Sequence, residues 1–109
     1  MAEQTLLGEL EQLVLLAIIR LEDRAYAVSI RDEIELQTGF SLSRGSIYVT
    51  LDRLEQKGYV DSWFADPTPE RGGKAKRYFK VRAVARRDLK DCRAALLKMW
   101  DGIEAAAKP

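Results

Sequence analysis

Histidine is missing from this 109-residue chain altogether, and cysteine occurs once, as Cys92. Without histidine there is no Ser-His or Cys-His nucleophile pair and no imidazole general base, which leaves carboxylate or lysine chemistry as the remaining catalytic route. A single thiol closes no disulfide within the chain, and with no histidine to join it a Cys/His zinc site cannot be assembled. No stretch approaches the roughly 18 apolar residues that span a bilayer, and Glu3 stands where a secretory leader would carry a basic patch. The carboxylates and lysines form no recognisable catalytic cluster. The expectation is a cytoplasmic protein, not an enzyme, with no cofactor, no metal and no membrane partner.

What is present is ordinary in bulk and uneven in detail. Apolar residues make up 47% of the chain and charged residues 32%, which suits one folded domain. A chain of this size buries only about 60 to 70% of its unfolded surface. With disulfides and zinc excluded, oligomerisation is the remaining source of extra burial. The net charge of +1 hides an asymmetry: residues 1–38 hold eight acidic residues against three basic ones, Arg20, Arg24 and Arg31. Residues 71–87 hold eight basic residues and no acid. A field of that sign suits a polyanion; a merely solvated charged face has the same composition.

Residues 9–21 place Leu10, Leu13, Val14, Ala17, Ile18 and Leu21 at helical spacing, after Gly8 as a cap and with Glu9 and Glu11 in the first turn. A second amphipathic run follows with Tyr26, Val28, Ile30, Ile34 and Leu36, closed by Thr38 and Gly39. Ser43 can cap a third helix that ends at Lys57 and Gly58. Residues 59–65 and 77–81 favour strands, and the loop between them, with Pro67 and Pro69, is long for a hairpin. Residues 83–107 form a last helix in which Ala85, Leu89, Cys92, Leu96, Met99, Ile103 and Ala106 step by fours and threes. Twenty-five residues would make a rod of about 37 Å. Such a seam suits a second copy of the chain, with Leu10, Leu89, Cys92, Leu96, Met99, Trp100 and Ile103 at the interface; packing on its own domain is the other reading. Cys92 serves as a small apolar residue in either case, or as a redox-active pair across a twofold axis.

Helix, helix, turn, helix, hairpin, helix is the order of a winged helix-turn-helix protein. In the third helix Ile47, Leu51 and Leu54 share an inward face, while Ser46, Val49, Arg53 and Gln56 lie opposite. Ser43, Arg44 and Thr50 fall on the flank or at the N-terminal end, where a recognition helix meets base edges and phosphates. Tyr48 either reaches a phosphate with its hydroxyl or packs as a half-buried ring. Arg71, Gly72, Gly73 and Lys74 would form a tip able to approach a duplex closely, with Lys76 and Arg77 extending its positive edge. The partner expected on these grounds is double-stranded DNA.

One order of motifs is specific. Leu7-Gly8-Glu9-Leu10-Glu11, Ala25-Tyr26-Ala27, Gly45-Ser46-Ile47-Tyr48 running into Leu51-Asp52-Arg53-Leu54-Glu55-Gln56-Lys57-Gly58, then Pro67-Thr68-Pro69-Glu70-Arg71-Gly72-Gly73 and Lys76-Arg77-Tyr78-Phe79 together resemble the PadR family of regulators. The likeness spans about residues 6–90 and is to the short subfamily with a single C-terminal helix. It implies a winged-helix DNA-binding domain over residues 1–82, a dimerisation helix over 83–109, and repression relieved by a small molecule. In some short relatives a tryptophan of the last helix lines an aromatic cleft between subunits, so Trp100 is either a stacking surface for a small aromatic ligand or part of a dimer core. Trp63 reads as structural. The chain departs from the family pattern in two places: Ala27 replaces a glycine, and Arg82 and Ala85 stand where a threonine and a glycine are common. The second change removes a good N-cap from the last helix. The competing function is a winged-helix module that binds protein rather than DNA.

Overall fold

A computed structural model describes residues 6–65 and 75–103. Helix α1, Glu9–Leu21, begins where expected: the Gly8 N–H donates to the Glu11 carboxylate at 2.9 Å, and the Gln12 amide donates to the Leu7 carbonyl. Its density of apolar residues has a structural use, because α1 is packed by three partners. It contacts helix α2 (Ala27–Thr38), helix α3 (Arg44–Gln56) and strand β2 (Arg77–Val81). Val14, Leu15, Ala17 and Ile18 are buried among them.

A single 3-10 turn, Glu22–Arg24, leads to α2. Ser29 takes over the start of that helix, its hydroxyl accepting the Tyr26 N–H at 2.9 Å. Ile30 and Ile34 face the core, but Leu36, which the amphipathic pattern includes, is exposed. Gly39 ends the helix at φ +81 with its N–H on the Glu35 carbonyl, a left-handed cap that side-chain-bearing residues rarely adopt. Four residues later Ser43 caps α3. At the far end of α3, Gly58 sits at φ +80 and donates to Glu55, while Tyr59 donates to Leu54. That paired closure turns the chain sharply into strand β1, Val60–Phe64.

Strands β1 and β2 pair antiparallel from Val60 opposite Val81 to Phe64 opposite Arg77. Period two sends Val60, Phe79 and Val81 into the core and leaves Asp61, Trp63, Tyr78 and Lys80 on the outer face. The free edge of β2 is also held, because the Phe79 N–H donates to the Ala25 carbonyl and Tyr26 bridges to Tyr78. The root of the hairpin is thus clamped on both sides.

Helix α4 covers Ala83–Trp100, and Arg82 at its N-cap makes no side-chain capping bond. The helix is shorter than the sequence suggests: Asp101 leaves helical geometry and Gly102 takes φ +83. Its 18 residues make about 27 Å. The apolar seam divides. Ala85, Leu89 and Cys92 are buried in the chain's own core, and Leu10 is partly buried against that core. Leu96, Met99, Trp100 and Ile103 are each more than half exposed. Ala106 lies outside the described residues. The Tyr59 hydroxyl donates to Asp88 at 2.6 Å and fastens the hairpin base to α4; that carboxylate pushes the phenol up to about 12, so it stays a donor.

One ion pair joins distant parts of the chain. Lys57, at the end of α3, reaches the buried Glu11 carboxylate at 2.7 Å. Burial pushes the Glu11 pKa up, but the bonds from Lys57 and Gly8 and the charges of Lys57 and Arg53 outweigh it, leaving it below the ordinary 4.5. A carboxylate whose pKa is lower folded than unfolded adds stability above the unfolded value, and that stability disappears as pH falls through the folded value. Glu11→Gln should therefore cost about 1–3 kcal/mol at neutral pH in urea denaturation. The gap to the parent should close as pH falls below 4.5. A constant gap across acidic pH would show that this carboxylate does not supply the acid sensitivity.

Candidate nucleic-acid interface

The inner face of α3 is fixed by Ile47, Leu51 and Leu54, all at 1% exposure or less. Helical geometry then turns Arg44, Tyr48, Val49, Arg53 and Gln56 outward, and all five are exposed. Neither Arg44 nor Arg53 is in an ion pair with a described residue. The N-terminus of α3 is already ordered. The Ser43 hydroxyl accepts the Ser46 N–H at 3.1 Å, and the Ser46 hydroxyl donates to the Ser43 carbonyl at 2.9 Å. Ser43 is exposed and Ser46 half-buried, so the pair can meet a ligand only from the open side of that cap.

Thr50 is placed differently from its expected position on the flank. It is buried, and its hydroxyl donates to the Ser46 carbonyl at 2.7 Å, one turn back along the helix. Its polar atom is consumed inside the helix and its methyl packs inward, so it offers nothing to an approaching partner.

Arg77 is also drawn into the fold. Its guanidinium bonds the Glu55 carboxylate, lies 3.5 Å from Asp52, and donates through Nε to the Ser62 hydroxyl at 3.1 Å. Ser62 in turn donates to Glu55 at 2.7 Å, and the guanidinium sits over the Phe79 ring. The cluster ties both strands of the hairpin to the C-terminal part of α3. It also offsets one of the two negative charges, on Asp52 and Glu55, that the helix would otherwise turn toward a polyanion.

Lys76 is half-buried, with its ammonium 4.0 Å from the centroid of the Tyr26 ring. Together Tyr26, Tyr48, Phe64, Lys76 and Arg77 border a cleft of about 390 Å3 between the N-terminal ends of α2 and α3 and the hairpin. Neither Tyr26, read from sequence as an apolar helix residue, nor Phe64 is among the DNA-contacting residues expected from sequence. Their one available signal is apolar character at an element's edge, and Phe64 is 69% exposed although it falls on the same strand face as Phe79. The expected tip residues Arg71, Gly72, Gly73 and Lys74 lie outside the described residues.

Three helices, a five-residue turn from Gly39 to Ser43, a clamped hairpin and an outward polar helix face define a winged helix-turn-helix protein. Comparison with known proteins agrees with that architecture. A model of the transcriptional regulator PadR-like family matches residues 15–91. The chain belongs to the PadR-like family of transcriptional regulators.

Among solved structures, it is similar to a transcriptional regulator from Clostridium thermocellum (TM-score 0.75, 19% identity, covering 93% of this chain and 92% of that one). It is also similar to a PadR-like regulator from Bacillus cereus (TM-score 0.72, 16% identity, 92% of each chain). A PadR family regulator from Eggerthella lenta gives a TM-score of 0.69 at 23% identity, over 92% of this chain and 87% of the other. At these identities the likeness is one of fold. No curated protein sequence matches the chain. Among the described residues, no helix is long and apolar enough to cross a membrane.

If the Arg77 cluster positions the wing, Arg77→Ala should lower stability by about 1–3 kcal/mol, because Glu55 and Ser62 lose a charged partner. Amide exchange in β1 and β2 should rise more than in α1. Unchanged stability and exchange would mean that backbone pairing alone holds the hairpin root.

Proposed function

We propose that this chain is a dimeric, sequence-specific DNA-binding regulator that acts as a repressor. The observation that carries the reading is the outer face of α3, where Arg44, Tyr48, Val49, Arg53 and Gln56 are exposed on a helix whose opposite side is locked in the core. Arginine and glutamine are side chains able to make paired hydrogen bonds to guanine and adenine in a major groove. Tyr48 and Lys76 border the cleft beside that helix and are suited to the sugar-phosphate backbone. In the sequence between the two strands, Arg71 and Lys74 carry the same sign of charge.

Dimerisation is supported by the apolar end of α4. Leu96, Leu97, Met99, Trp100 and Ile103 expose more than half of their surface within a few residues of one another. A cluster of that kind is the usual mark of a protein interface. A second copy of the same helix supplies the same side chains about a twofold axis. Trp100 in such an interface is also the ring on which a planar aromatic inducer would stack. Quenching of tryptophan fluorescence by planar aromatic dyes, lost in Trp100→Phe, would bear this out; a parent that shows no quenching would remove the assignment.

Selection of bound sequences from a random duplex pool tests the main reading. The expected product is an inverted repeat with half-sites about one helical turn apart. Against that site Arg53→Ala should lose specificity at one base position, at a cost of about 1–3 kcal/mol. Lys76→Ala should weaken selected and scrambled duplexes alike and reduce the salt dependence by about one charge. Absence of any selected sequence, with weak binding indifferent to all these variants, would turn the assignment toward a protein-binding winged helix.

A further inference from the structure

A second cavity, of about 470 Å3, lies away from the face of α3, where the outer side of the hairpin meets the end of α1, the 3-10 turn and the start of α4. Its volume is within the range of about 300–1,000 Å3 common to small-molecule sites. Ile18, Ile19 and Val81 supply the apolar part of its lining. Trp63 supplies an aromatic wall; one face of that indole stacks on Tyr78 at 6.2 Å, and the residue stays 43% exposed.

Charge is arranged around the cavity in an uncommon way. Glu22 and Asp23 come from the 3-10 turn, and Lys80 and Arg86 come from β2 and α4. Two acids and two bases border one space, yet none of the four forms an ion pair with a described residue at 4.0 Å or less. The backbone adds an independent observation. Glu22 has φ +55, and among the described residues it is the one non-glycine with positive φ. Its N–H donates to the carbonyls of Ile18 and Ile19, so the unusual conformation is fixed by the end of α1. Strained residues of this kind persist where surrounding structure over-determines them, and they concentrate at binding sites.

We propose that this cavity binds a small zwitterion with an aromatic body, of the aromatic α-amino acid class. Lys80 and Arg86 receive the carboxylate, Glu22 and Asp23 receive the ammonium, and the ring stacks on Trp63 above the isoleucines. A simple anion would meet Glu22 and Asp23, and a simple cation would meet Lys80 and Arg86. All four residues are exposed, and a ligand carrying both charges is the kind that meets an opposite charge at each end of the space. The site touches both strands of the hairpin as well as α1 and α4, so its occupant bridges the wing and the body of the domain.

The test is calorimetric titration of the full chain, without DNA, using L-phenylalanine, 3-phenylpropionate and phenethylamine. L-Phenylalanine should bind saturably, one molecule per chain, and each analogue that lacks one charge should bind about tenfold more weakly or worse. Glu22→Gly and Lys80→Ala should each lose about tenfold in L-phenylalanine affinity. Glycine adopts the positive φ freely and Lys80 is exposed, so both variants should melt near the parent temperature. No saturation at millimolar L-phenylalanine, equal affinity for all three compounds, or affinity unchanged in both variants would overturn the proposal. These measurements need no duplex, so their failure is distinct from a failure of DNA recognition.

Discussion

The position of α3 depends on a carboxylate brought to its far end from another helix. Glu11 is nearly out of water, and it is held by the Gly8 N–H on one side and the Lys57 ammonium on the other. Only the Glu11 end of the pair is buried, since Lys57 keeps 37% of its side chain exposed, so the pair adds little net energy while leaving Glu11 without its partner costs about 1–3 kcal/mol. Its contribution is therefore geometric. The pair holds the C-terminal end of α3 against the start of α1. Ser43 fixes the opposite end of the helix. Between those two restraints Ile47, Leu51 and Leu54 set the rotation about the axis.

The wing is referred to the same helix by a second polar cluster. Arg77 lies in a run of basic residues whose charge invites assignment to DNA as a group. In the folded chain it is divided among Glu55, Asp52, Ser62 and the ring of Phe79. This lowers the number of cations free for a partner while offsetting part of the repulsion that Asp52 and Glu55 would exert on one. The two effects oppose each other, and one guanidinium between two carboxylates leaves the cluster with a formal charge of −1 instead of the +1 that a free Arg77 would offer. Charge counts along the sequence miss such internal cancellation.

What could be read from the sequence follows the range of the physics involved. Gly39, Ser43 and Gly58 mark their helix ends through local backbone requirements, and the strand register follows from period two. Long-range partners leave no such mark. Thr50 sits at the edge of the helical wheel, where a hydroxyl that folds back on the Ser46 carbonyl and one that faces outward have the same sequence signature. The expected seam in α4 joins residues by spacing alone, and spacing does not distinguish Leu89 and Cys92, buried at home, from Leu96 and Met99, which are not. Gly102 was tolerable as an interior helix residue by composition; its positive φ makes it a terminus.

The division of α4 has a consequence for how so small a chain closes its core. Its first turns are committed to the winged domain through Ala85, Leu89, Cys92 and the Asp88–Tyr59 bond, so their orientation is fixed before any partner arrives. The remaining turns continue the same rod and carry Leu96, Leu97, Met99 and Trp100 into water. Helix geometry makes the exposed part an extension of the anchored part, so a partner that covers it is read out at a fixed angle to the domain. On the proposed dimeric reading, the spacing of two recognition helices is set by this rigid continuity. The same apolar contacts that complete the burial of a 109-residue chain would then also choose the separation of its half-sites.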